Sequence, residues 1–193
     1  MKDLMRFMQS RRSSQRARRR STHPLKVELL EDRLAPAVLS ATVHFAAIGD
    51  YGSSGSQELS VANLVHSWSP DFVVTLGDNN YSSAHPTVSD YNTNVGQYYQ
   101  DFITGNRFFP ALGDHDWGDI YPNPSGDQAY LSYFNTPGNG RYYDFVQGPV
   151  EFFMLSLDKN EPDGNTSNSL QAAWLQSELA RSTLPVRSRF HLD

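Results

Sequence analysis

The first 36 residues show no apolar period: arginines, serines and isolated apolar residues are mixed. From Ala37 the pattern changes. Residues 43–48 form a nearly continuous apolar run, which predicts a buried strand. Residues 57–68 carry Leu59, Ala62, Leu64 and Val65 as a broken apolar stripe and predict a helix. Residues 72–76 predict a second buried strand, and residues 95–103 a helix. Residues 107–112 read as a third strand, in which Pro110 predicts a bulge or distortion. Residues 113–126 are rich in Gly, Asp and Pro and read as a loop. Two more strands are expected over 142–146 and 150–157, joined through Gln147-Gly148-Pro149. Leu170, Trp174, Leu175 and Leu179 mark a last helix that Ser169 is placed to cap. Strands alternating with helices give an α/β fold with a largely parallel sheet.

Composition narrows the chemistry. The chain has 193 residues, room for one substantial domain, and 11 Phe, 10 Tyr and 3 Trp to build its core. It has no cysteine, which excludes disulfides, thiolate metal sites and cysteine nucleophiles. No apolar run approaches the roughly 20 residues of a membrane helix. The net charge of −5 is unevenly spread. Residues 1–36 hold ten basic and four acidic residues, whereas residues 37–193 hold six basic and seventeen acidic ones. The expected organisation is therefore a basic, disordered tail over 1–36 and one acidic domain over 37–193. So acidic a body lacks the cations to hold a nucleic-acid backbone, and no nucleic-acid partner is expected. The arginine run could still bind nucleic acid or an anionic surface, but a solvated arm accounts for it more simply. It is not followed by the apolar stretch of a secretory signal peptide.

One local pattern recurs. Ile48-Gly49-Asp50, Leu76-Gly77-Asp78 and Leu112-Gly113-Asp114 each place Gly-Asp directly after an expected strand. The aspartates are 28 and 36 residues apart, about the length of one strand–helix–strand unit. Right-handed crossovers keep such strands parallel, so their carboxyl ends share one sheet edge, where open α/β sheets bind ligands. Three carboxylates in one crevice repel each other unless they protonate or a cation holds them. Oxygen ligands select hard ions, and an added imidazole or phenolate shifts the choice towards iron, manganese or zinc.

The surrounding residues carry a resemblance. Gly49-Asp50-Tyr51-Gly52, Gly77-Asp78-Asn79-Asn80-Tyr81 and Gly113-Asp114-His115-Asp116 resemble, in order, the G-D-x-G, G-D-x-x-Y and G-N-H-D/E motifs of the calcineurin-like metallophosphoesterases. Tyr81 and Gly52 resemble the purple acid phosphatase branch in particular. Further similar segments are residues 106–110, 137–144 and 161–164, and the resemblance spans residues 43–182. It implies an α/β/β/α sandwich and a dinuclear metal centre of Fe(III) with Fe(II), Zn(II) or Mn(II). It also implies hydrolysis of phosphate monoesters by a dimetal-bound hydroxide, an acid phosphatase activity. Asp50 would hold the first ion, Asp78 would bridge both, Tyr81 would bind iron as phenolate and Asp114 would hold the second. His115 would contact the phosphate and assist the leaving group, oriented by Asp116. Residues 27–37 resemble a V-E-x-L-E-D-R-x-x-P-A segment of exported bacterial surface proteins, which implies export to the cell envelope or beyond.

Two departures stand beside these matches. Asp114 replaces the family's Asn and adds a negative charge. The later histidine-bearing motifs have one candidate, His191, after a poor strand pattern, so the domain is expected to be C-terminally incomplete. The alternative expectation is a non-catalytic remnant or surface module that keeps the fold without a complete dimetal site.

Overall fold

The computed structural model describes residues 42–81, 84–118 and 120–182. The expected tail, the export-type segment and His191 lie outside them.

Three strands, β1 (Phe45–Ile48), β2 (Phe72–Thr75) and β3 (Phe108–Phe109), form a parallel sheet in that order. Phe45 stands opposite Phe72, and Val73 opposite Phe108. The central strand β2 is buried at all four positions, which is why its sequence is nearly unbroken in apolar character. The third strand is shorter than its sequence pattern. Pro110 has no N–H to continue the ladder, so pairing stops at Phe109. The Pro110 carbonyl instead accepts from the hydroxyls of Tyr130, at 2.6 Å, and Tyr143, at 2.7 Å.

The crossover from β1 to β2 is α1 (Ser56–Trp68). Its inward line is Glu58, Ala62 and Val65, the i, i+4, i+7 spacing of one helix face. Leu59 and Leu64, expected in that stripe, flank it and are each 51% exposed. The crossover from β2 to β3 begins earlier than expected. It runs through α2 (Val88–Tyr91), a π-helical turn over Asn92–Gly96 and α3 (Gln97–Thr104). Thr87 starts it with a reciprocal cap: its hydroxyl accepts from the Asp90 N–H, and the Asp90 carboxylate accepts from the Thr87 N–H. The stretch read as loop contains α4 (Asp114–Trp117), and α5 (Gln128–Tyr133) follows it.

The strands β4 (Tyr143–Gln147) and β5 (Val150–Met154) form an antiparallel hairpin in which Gln147 pairs with Val150. The last helix, α6 (Leu170–Arg181), is capped by Ser169, whose hydroxyl accepts from the Ala172 N–H at 3.1 Å. Its buried Gln171 side chain accepts from the Ser156 N–H and donates to the Ser156 and Gly164 carbonyls, so it extends the backbone pairing just past β5. Arg141 bridges Glu161, at 3.0 Å, and Asp163, at 2.8 Å, and ties the hairpin's entry to the loop before α6.

Alternate residues of β2 enter two different cores. Val73 joins Ala62, Val65, Tyr99 and Trp117 on the helix side. Phe72 and Val74 join Tyr143, Phe152 and Met154 on the hairpin side, where Phe109 stacks on Phe145 with centroids 3.7 Å apart. The fold is mixed α/β, with a parallel sheet and an antiparallel hairpin. No helix among the described residues is long and apolar enough to cross a membrane.

Candidate metal centre

The parallel strands bring all three Gly-Asp turns to one edge. Asp50 and Asp78 both have positive φ, 52° and 54°, the left-handed region that few non-glycine residues occupy. That posture turns each side chain sharply off its strand. Two glycines then let the turns close on each other. A Cβ on Gly52 would lie 2.1 Å from the Asn79 carbonyl carbon, and one on Gly113 would lie 2.1 Å from Asp78 Oδ1. Any larger residue at either position would push the carboxylates apart.

The result is a contiguous set of donors. The Tyr81 hydroxyl lies 2.9 Å from Asp50 Oδ1 and 2.8 Å from Asp78 Oδ2. Asp78 Oδ1 accepts from the His115 backbone N–H at 3.3 Å. Ligand atoms of Asp78, Asp114 and His115 all lie within 4.8 Å of one another. The His115 ring leans on the Tyr81 ring with centroids 4.2 Å apart. A cleft of about 350 Å³ opens on this edge, walled by Asp50, Asp78, Asp114, Phe153, Met154 and Lys159.

The electrostatics follow from the crowding. Burial pushes the Asp78 carboxyl above the usual carboxylate range, and the nearby Asp114 charge adds to it. The bonds from Tyr81 and the His115 N–H oppose that rise. Burial also holds the Tyr81 phenol protonated well above its ordinary range, reinforced by the two carboxylates that share its hydrogen. A cation placed among these groups would take over the role of that shared proton. Carboxylates, a phenol and one imidazole form an oxygen-rich set that suits iron, manganese or zinc. Asp78, Asp114 and His115 can hold one ion, with Asp50 and Tyr81 adjoining through Asp78.

Beneath the donors lies a buried polar hub that the sequence reading did not single out. Asn79 Oδ1 accepts from the Tyr51 hydroxyl, at 2.8 Å, and the Thr75 hydroxyl, at 2.7 Å. Its Nδ2 donates to the Ala111 carbonyl, at 2.6 Å, and to Asp116 Oδ2, at 2.8 Å. One side chain thereby links all three Gly-Asp turns. The available signal was a polar residue directly after a strand-end aspartate, which local pattern alone cannot distinguish from a solvated loop position.

Asp116 belongs to this hub. It is fully buried, and its carboxylate accepts from the Gly113 and Asn79 N–H groups, the Asn79 side chain and the Tyr91 hydroxyl. Burial raises its pKa to about 6 against the pull of those donors. Neighbouring residues on a helical turn point about 100° apart, so Asp116 is buried while His115 is half-buried with its ring against Tyr81. Asp116 thus anchors the first turn of α4 at Gly113. Trp117, next along α4, is fully buried in the helix-side core. His44 and His66 are exposed, and His66 bonds the Tyr98 carbonyl at 2.9 Å.

No protein-family model matches the chain, and no curated protein matches it.

Proposed function

We propose that the chain is a metal-dependent phosphoesterase of the purple acid phosphatase-like type, acting on phosphate monoesters at a dinuclear centre. The observation that carries this reading is the gathering of Asp50, Asp78, Tyr81, Asp114 and His115 at one sheet edge, with Tyr81 shared between two carboxylates. The wider architecture in this reading is the metallophosphatase α/β/β/α sandwich. It is supported by helices on one face of the parallel sheet and the hairpin on the other.

In this reading Asp50 and Tyr81 would hold an iron ion, Asp78 would serve both ions, and Asp114 would hold the second, Fe(II), Zn(II) or Mn(II), leaving the His115 imidazole for the substrate. Bound metal would supply positive charge for the phosphate oxygens and acidify a water for in-line attack. The chain's own residues do the rest. Asp78 and Asp114 set where the ester can sit by repelling its oxygens from every approach that a cation does not screen. The His115 imidazole, beside Tyr81, would deliver a proton to the departing alkoxide. The hub of Asn79 and Asp116 fixes the turns, so the donors need little reorganisation. Asp114 carries a charge that an asparagine would not, so Asp114→Asn is expected to tighten inorganic phosphate binding. In this reading the activity is exported, supported by the resemblance of residues 27–37 to an export-type segment.

A second reading is a metal-binding module without catalysis. It is favoured by the donor count: among the described residues the clustered set offers one imidazole, His115. One experiment separates the two. Purified protein is loaded with iron and read by metal analysis, visible absorption and phosphatase assay. A charge-transfer band that vanishes in Tyr81→Phe, together with hydrolysis, supports the enzyme. The band without hydrolysis supports the module. Full hydrolysis in Asp78→Ala would overturn the site.

A further inference from the structure

The cleft at the Gly-Asp turns is lined by four aspartates, Asp50, Asp78, Asp114 and Asp158, and by one cationic residue, Lys159. An anion entering it meets like charge on most sides, and Asp114 adds to that charge where an asparagine would not. The described residues hold four lysines and arginines. Arg107 pairs with Asp101, Arg141 with Glu161 and Asp163, and Arg181 with Glu178. Lys159 pairs with no carboxylate among the described residues. Its Nζ rests instead over the Tyr121 ring, 4.7 Å from the centroid. We infer that Lys159 is a phosphate-binding residue, whose ammonium turns from the Tyr121 ring to a phosphoryl oxygen of the ester. This rests on the phosphoesterase reading and assigns to that site a cation from the chain itself, one that offsets the added charge of Asp114.

The ring is a weak hold. Tyr121 is 60% exposed and Lys159 is exposed beside it, and a cation over a ring in water is favoured only a few-fold. An ammonium donating to a phosphate oxygen makes a charge-assisted bond, which is stronger, so an entering phosphate outcompetes the ring. Lysine suits such a move, because its charge is compact and its stem flexible. The backbone beneath it is pinned. Asp158 Oδ1 accepts from the Asn160 N–H at 2.6 Å. The buried Asn160 accepts through Oδ1 from the Asn123 N–H at 2.9 Å. Asn123 Nδ2 in turn donates to the Trp117 carbonyl at 2.7 Å, at the end of α4. The loop of Lys159 is thereby tied to the loop of Tyr121 and to the helix that carries Asp114 and His115. A flexible cation thus stands on a base held in register with the candidate donors.

The test is calorimetric titration of the full chain, loaded with iron and checked by metal analysis, with inorganic phosphate. Lys159→Met keeps an unbranched stem and removes the charge. It should weaken phosphate by about tenfold while metal content stays unchanged. Lys159→Arg keeps the charge and should bind phosphate within about threefold of the wild type. Tyr121→Leu removes the competing ring and should tighten phosphate by about two- to fivefold. An unchanged affinity in Lys159→Met, or an arginine variant no tighter than the methionine one, overturns the assignment and leaves the phosphoesterase reading standing. A wild-type chain that takes up no iron, or takes it up and binds no phosphate, overturns both. Should Lys159→Met not fold, Tyr121→Leu decides alone, and no tightening there overturns the assignment.

Discussion

The two faces of the parallel sheet rest on different chemistry. The helix side buries Tyr51, Tyr91, Tyr99, Tyr130 and Trp117, and runs into the polar hub of Asn79 and Asp116. The hairpin side is a phenylalanine stack with one hydrogen-bonded tyrosine, Tyr143, at its margin. Phe45, Phe72, Phe109, Phe145 and Phe152 meet in stacked and edge-on pairs with centroids 3.7–6.0 Å apart. Apolar packing is non-directional and holds sheets together whatever their exact register. Hydrogen-bonded tyrosines fix positions, because each bond has a required angle and partner. The tyrosine side is the one that continues into the Gly-Asp turns. The division teaches that here one core provides cohesion and the other provides geometry.

Substitutions can break or sharpen that division. Phe72→Ala, at the centre of the stack, is expected to cost about 4 kcal/mol in urea unfolding, with metal affinity of the folded fraction unchanged. An equal loss of metal affinity would erase the distinction. Asn79→Ala is expected to cost about 3 kcal/mol, since it strands the Tyr51 and Thr75 hydroxyls and one Asp116 oxygen. Unlike the phenylalanine change, it should also weaken metal binding by about tenfold, read by competition with a chelating dye.

The next effect is pH-dependent. Burial lifts Glu58 from 4.5 to about 7, so the folded state favours its protonated form. Its favourable contribution is therefore complete below pH 4.5 and is lost as pH rises through 7. Glu58→Gln lacks this loss. Thermal unfolding across that window should show the variant gaining on the wild type by roughly 2 kcal/mol towards pH 8. The smallest effect is expected far from both cores. Ser169→Ala should cost about 1 kcal/mol through the cap of α6 and leave metal binding unchanged.

What could be read without coordinates follows the same division. The buried strands β1 and β2 were legible because continuous apolar runs have few other uses, and the aspartates at 50 and 78 because they directly follow those runs. The Ser169 cap was legible because its partner, Ala172, is three residues away. The shortening of β3 was half legible: Pro110 announced a disturbance, but not that pairing would end there. The short helices α2 and α4 were not read at all. Each begins at a local device, Thr87 with Asp90 and Gly113 with Asp116, whose residues also suit a loop. The π-helical turn between α2 and α3 has no local signature. The exposure of Leu59 and Leu64 was misread because an apolar stripe was assumed to be the buried one, while the inward line of α1 contains a glutamate. The hub escaped for a different reason. Asn79 reaches partners 28, 32 and 37 residues away, and such bonds exist only once the three strands have assembled.

The left-handed turns at Asp50 and Asp78 set heat tolerance against ion capture. Asparagine or glycine would occupy those backbone positions with less strain and without mutual repulsion. A library screened only for survival at high temperature, with no metal present, would therefore be enriched in neutral residues at both places. The same library screened in the presence of iron would move back towards aspartate.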